Sequence, residues 1–207
     1  TCAAGGIDQN FRLPYAKEWT VAVQHAITPT MSLDLAYVGN HGSNLIGATD
    51  ANIPVVGTNS SSRKQQSRPF YNKFPYLGKV NFLNAENHSN FNALQATLTQ
   101  RPWHGVSFTT GYTYSHALDV TQADITLVAS PNANCRACDY GPTGFDVRHR
   151  MTFRGSYQIP GKKGYAQMLE GWQVSSLVNL IGALPWTGTD TKSDFSGTGQ
   201  NNDRWNL

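Results

Sequence analysis

Two thiols three positions apart, in Cys135-Arg136-Ala137-Cys138, form the densest group of reactive side chains in the sequence. A C-x-x-C pair supplies two of the four ligands that a structural zinc site requires. His149 falls in strand-like sequence and Cys2 lies far away, so no ligand set completes itself. A redox dithiol belongs at a helix start beside a βαβ pattern, and that pattern is missing. A loop disulfide is the expectation, between Cys135 and Cys138 or from one of them to Cys2, with one cysteine left over.

Charge is organised more clearly. Asp146, Arg148, Arg150 and Arg154 alternate with apolar residues and share one face of an extended segment. They read either as a patch that meets an anionic partner or as polar wall residues paired with acids on neighbouring strands. The second reading is favoured, because barrel interiors are commonly polar and charged. Asp119, Asp124, Asp139 and Asp146 match no compact calcium loop. The histidines fall without an HExxH-type spacing, and no nucleophile elbow or carboxylate pair stands out, so no enzyme activity is expected and no cofactor is implied. The stretch 60–68 is polar and basic, with Arg63, Lys64 and Arg68, and reads as a solvated loop tip with a lesser prospect of capturing acidic ligands. Phe70, Tyr71 and Tyr76 lie in the aromatic run that follows, suited to stacking on sugars or to packing a loop on a rim.

The elements that would position these groups are β-strands. Alternation marks six of them, at 18–27, 31–40, 91–99, 105–116, 146–159 and 171–186. In the first, Trp19, Val21, Val23 and Ile27 oppose Glu18, Thr20, Ala22 and Gln24; in the second, Leu33, Leu35 and Tyr37 oppose Ser32, Asp34 and Ala36. In the last, Trp172, Val174, Val178 and Leu180 oppose Gln173, Ser175 and Asn179. Thr28-Pro29-Thr30 is a tight turn with proline confined to the connection. A second turn is expected at Arg101-Pro102-Trp103-His104. Between the hairpins lie long loops, 42–90 and 117–145.

Composition agrees with a half-polar wall. Of 207 residues, 39% are hydrophobic and only 14% charged, while aromatics reach 11%. Mean hydropathy is nevertheless −0.41, as expected where apolar and polar residues alternate and cancel. Aromatics gather near strand ends, where interfacial girdles form. An arginine on a lipid-facing surface costs about 2–4 kcal/mol near the midplane, so the face bearing Arg150 and Arg154 must point inward, together with Asp34 and Gln173. The net charge of +3 is spread along the chain and nucleic-acid binding is not expected.

Short turns on one side and long loops on the other mark outer-membrane β-barrels. The expected fold is therefore all-β: antiparallel hairpins forming part of a transmembrane outer-membrane barrel over 1–207, with external loops and periplasmic turns. Six strands are too few to close such a barrel, and both ends read as loop sequence, so a piece of a longer protein is expected. Two other readings stand beside this one. In the first, a structural or adhesive surface protein assembles through its edge strands. In the second, a secreted carbohydrate-binding sandwich uses the aromatic run.

Several segments resemble the barrel of Oar-like TonB-dependent receptors, of the carboxypeptidase-regulatory-like family. They are Lys17-Glu18-Trp19-Thr20-Val21-Ala22-Val23-Gln24 with Leu35-Ala36-Tyr37-Val38-Gly39-Asn40-His41-Gly42; Ser89-Asn90-Phe91-Asn92-Ala93-Leu94-Gln95; Gly111-Tyr112-Thr113-Tyr114-Ser115-His116; and Phe145-Asp146-Val147-Arg148-His149-Arg150 through Gly171-Trp172-Gln173-Val174. The resemblance implies a barrel in the outer membrane of a Gram-negative-type bacterium, with loops at the cell surface. It also implies substrate uptake, and as partners outer-membrane lipid, the missing remainder of the barrel and plug, and the TonB complex through that plug.

Overall fold

The structure is a computed structural model and describes residues 2–55, 61–120, 139–161, 171–186, 188–190 and 203–204. Its strands are β1 (Cys2–Ile7), β2 (Tyr15–Thr28), β3 (Met31–Asp50), β4 (Leu77–Trp103), β5 (Val106–Asp119), β6 (Gly141–Pro142), β7 (His149–Gln158) and β8 (Gln173–Ile181), with one short helix, α1 (Ser61–Gln66). Six strands run in the order β2-β3-β4-β5-β7-β8 within a single sheet, each antiparallel to its neighbour. β6 adds to β5, and β1 adds in parallel to the far end of β4. A separate two-residue ladder joins β9 (Thr189–Asp190) and β10 (Asp203–Arg204). No second large sheet stacks on the main one among the described residues.

The register divides the sheet into two faces. Val21, Tyr37, Leu94, Tyr114 and His149 form one cross-strand row; Val23, Leu35, Ala96, Tyr112, Met151 and Leu180 form the next. These side chains are largely exposed, Val23 at 63% and Leu180 at 58%. An apolar surface this continuous has lipid, not water, as its natural surroundings. The opposite face carries Gln24, Asp34, Thr97, Gly111, Thr152 and Asn179 in one row. On the apolar face the indole of Trp19 lies across Gly39, where an added Cβ would collide with its ring.

The connections differ from the sequence-based expectation in instructive ways. The β4–β5 turn sits at His104 and Gly105, both with positive φ (48° and 80°), the signature of a type I′ hairpin turn. Pro102 therefore belongs to β4, at a register shift between Gln100 and Trp103. The β7–β8 connection, 159–172, is longer than the other two and is fastened where Ile159 N donates to Trp172 O at 3.0 Å. β7 begins at His149 and β8 spans Gln173–Ile181, both shorter than the alternation marks.

The largest correction concerns 42–90. β3 continues to Asp50 and β4 starts at Leu77, so both ends of that stretch, 42–50 and 77–90, are strand, with β3 and β4 in register from Gly47–Asn84 to Asp50–Asn81. Apolar residues here, such as Phe82 and Leu83, fall on both faces among glycines and asparagines, so alternation of hydrophobicity vanishes while the backbone ladder goes on. Register shifts on either side of Leu45 and a left-handed Asn44 (φ 55°) break the parity as well.

Candidate functional site

Chemistry-bearing groups collect in three places. At the loop end of the sheet, residues 51–55 and 61–76 are tied down by a buried polar knot. Asp50 Oδ1 accepts from the backbone N–H groups of Asn52 and Val80, both at 2.9 Å, and its Oδ2 faces Arg68 Nη1 at 3.3 Å. Asn52 is fully buried; its Nδ2 donates to Gly78 O at 2.8 Å and its Oδ1 accepts from Phe70 N at 3.0 Å. Gln65 closes the knot by donating to Leu77 O at 2.8 Å. Arg68, with its side chain 8% exposed, is thus an internal tie and leaves the set of residues open to a ligand. Lys64 and Tyr71 are half-buried, Phe70 and Tyr76 are exposed, and Phe74 meets Tyr76 edge-to-face at 6.3 Å. The side chain of Arg63 lies outside the described residues, as do Cys135 and Cys138.

The second place is the approach to β7. Asp146, only 1% exposed, accepts from Ala117 N at 2.8 Å, from Arg148 Nε at 2.7 Å and faces His116 Nδ1 at 2.9 Å. Burial alone would raise this carboxyl, but the Ala117 N–H, then Arg148 and His116, outweigh it and hold the group below the ordinary carboxylate range. Arg148 is correspondingly raised, chiefly by its bond to Asp146. Asp146 is a clamp that holds segment 139–148 on the end of β5, and it presents no free carboxylate to a ligand. Nearby, Asn90 Nδ2 donates to Tyr140 Oη at 2.7 Å.

The third place is the polar face of β5, β7 and β8. Arg150 and Arg154 are exposed there and make no ion pair or hydrogen bond with described residues. Their cross-strand neighbours are Thr113 and Ile181 for Arg150, and Thr109 and Leu177 for Arg154. Among the described residues, neither has an acid on an adjacent strand as its partner; Arg148 has a carboxylate partner, Asp146, two residues away on its own segment. Asp34 lies on the same face, on β3, and Gln173 at the start of β8 donates to Ser175 Oγ at 3.4 Å. Alternation puts these residues on one face; which groups sit beside them depends on register, and register was not readable.

A sheet apolar on one face, polar on the other and hairpin-connected throughout is the wall of a barrel in a membrane, and residues 1–207 match the family described as outer membrane beta barrel domain. The chain belongs to that family. This outer-membrane barrel domain is similar to a solved structure, the outer membrane transporter YddB from Escherichia coli, at 11% identity and a TM-score of 0.42. The match covers 84% of this chain and 26% of that one, so the chain spans about a quarter of the transporter's length. No curated protein matches it.

Proposed function

We propose that this domain forms part of the wall of a TonB-dependent uptake receptor of the Oar-like kind. Its apolar face meets outer-membrane lipid and its polar face lines the lumen, with Asp34, Arg150, Arg154 and Gln173 on it. Segments 51–76 and 139–148 stand at the cell surface and the His104–Gly105 turn in the periplasm. The role is passage of a solute, not catalysis. The observation that carries this reading is the pair of arginines that, among the described residues, have no acid partner on the polar face. A wall that served only as scaffold would be expected to neutralise them, whereas a wall facing cargo or a plug keeps them available. Plug and TonB contacts fall to other parts of the receptor.

The test uses the full-length polypeptide in its native outer membrane. Photo-crosslinking should capture TonB, and planar bilayers holding the purified protein should stay electrically silent, because a plug fills the lumen. Steady ion conductance without any TonB crosslink would overturn the receptor reading in favour of an open pore. A second reading rests on the edges: β2 and β8 have no outer partner strand among the described residues. Assembly into filaments in the absence of lipid would support a self-associating surface protein.

A further inference from the structure

Two hollows open on the polar face, and each contains one of the unpartnered arginines. The one towards the turn end, about 450 Å³, is lined by Arg154 with the hydroxyls of Ser107, Thr109, Ser156 and Ser175, and by Leu177. The other, about 300 Å³ and nearer the loop end, brings Arg150 together with Gln95, Thr113, Ser115 and Phe91, and with the clamped carboxyl of Asp146. Ser107 and Ser156 hold each other at 2.8 Å, so the hydroxyl cluster beside Arg154 is already in place before anything binds. Arg150 and Arg154 are four residues apart on one strand face, hence about 13 Å apart along it, with Thr152 between them.

The chemistry of each hollow is that of an oxyanion site. A guanidinium offers a planar fork of donors that fits phosphate or carboxylate oxygens, and hydroxyls or an amide beside it can satisfy the remaining lone pairs. Asp146 is the one acid lining either hollow, and its charge is taken up by Ala117 N, Arg148 and His116. Both sites therefore present net positive charge to an entering solute. The hydroxyl-rich lining suits a polyol body more than an apolar one.

We propose that Arg154 and Arg150 form two oxyanion subsites on one path along β7, which select phosphorylated, hydroxyl-rich solutes of the sugar-phosphate type. The inference rests on the lumenal placement of the polar face under the proposed function. An anion held at Arg150 near the loop end would pass to Arg154 near the turn end, a step long enough to need release from one site before capture at the next. Neutral polyols would find hydroxyl partners but no charge.

The experiment is equilibrium binding of radiolabelled glucose 6-phosphate to the full-length protein in lipid nanodiscs, with uptake by whole cells measured separately. Binding should be displaced by inorganic phosphate and not by glucose. Arg154→Gln and Arg150→Gln should each weaken it by about tenfold, the size of one lost charge-assisted contact. Arg154→Lys, which keeps the charge but loses the fork, should weaken it less than Arg154→Gln does, and Gln24→Ala, on the same face of β2, should leave it unchanged. Equal displacement by glucose, or arginine variants with wild-type affinity, would overturn the subsites. So would absent binding accompanied by a crosslink from either arginine to a carboxylate of the same polypeptide, which would make them internal ties. Because binding and uptake are read apart, bound sugar phosphate without energised uptake would count against the receptor reading alone.

Discussion

Between the hairpin turns and Trp19 the sheet hides almost nothing. Every residue of β2 is exposed, and so are Tyr112, Tyr114, Met151, Val174, Val178 and Leu180 on the apolar face of β5, β7 and β8. Beyond Gly42, the same strands β3 and β4 bury Ala48, Asp50, Asn84, Ala85 and Asn87, and the segment that joins them buries Asn52 and Pro54. One sheet thus has two kinds of construction. In the spanning part the backbone ladder pairs the peptide groups of the inner strands, and lipid takes the place of a core. At the loop end water returns, and order there comes from buried polar groups linked by hydrogen bonds, with few apolar ones. Damage to each part should have a different signature.

The strongest way to separate them is Asp50→Ala. It leaves the buried guanidinium of Arg68 without its counter-charge and two backbone donors, Asn52 and Val80, without their acceptor. Removing one member of a buried pair costs about 3–5 kcal/mol. Hydrogen exchange should rise sharply over 51–55 and 61–83, while the exchange of β5 and β7 stays as it was. Equal loss of protection in β5 would mean that the two parts unfold as one.

The converse is Leu35→Arg, which acts on the lipid side alone. Leu35 pairs with Val23 near the middle of the apolar zone that runs from Trp19 to Ile27. An arginine there should lower stability by about 2–4 kcal/mol in urea unfolding from lipid vesicles, whereas Thr97→Arg on the polar face should shift it by less than about 0.5 kcal/mol. Matching losses for the two variants would undo the assignment of faces. A smaller perturbation is Gly39→Ala, whose methyl must displace the Trp19 indole. A cost of about 1–3 kcal/mol is expected from such overpacking, with a change in tryptophan emission as the ring moves; unchanged emission would argue that Trp19 does not cover Gly39.

The same contrast explains what was readable beforehand. Val21 and Tyr37 meet on the apolar face, as the alternation in the sequence marks, because lipid forces strict alternation in the spanning part. Past Gly42 that force disappears. Glycines, asparagines and His41, His88 carry no two-residue rhythm, so 42–50 and 77–90 resembled a loop although they are strand. β1 was equally hidden, since Cys2–Ile7 is made mostly of small residues and pairs in parallel with a strand some 75 positions away. Of the candidate site, the face of Arg150 and Arg154 was visible in alternation. Their lack of acid neighbours was not, because it depends on register: slipping β7 by two residues along β5 would change every cross-strand partner while keeping the face.

The smallest effect expected is a pH dependence confined to segment 139–148. The folded-state carboxyl of Asp146 lies below its ordinary value of 3.8, so the unfolded segment binds the proton more readily than the folded one. The clamp is then fully effective above the ordinary carboxylate range and weakens only as pH falls through the depressed folded-state value. Protection of Ala117 and Thr143 amides, expressed relative to unstructured-peptide rates at each pH, should be flat at neutral pH and decline below about pH 4. Asp146→Asn keeps a side-chain acceptor for Ala117 N but removes the titrating group. That variant should show lower protection at neutral pH and lose the acid limb. An acid limb of wild-type size in Asp146→Asn would transfer the effect to another carboxylate, and the loop-end construction would then owe its pH response to something other than this clamp.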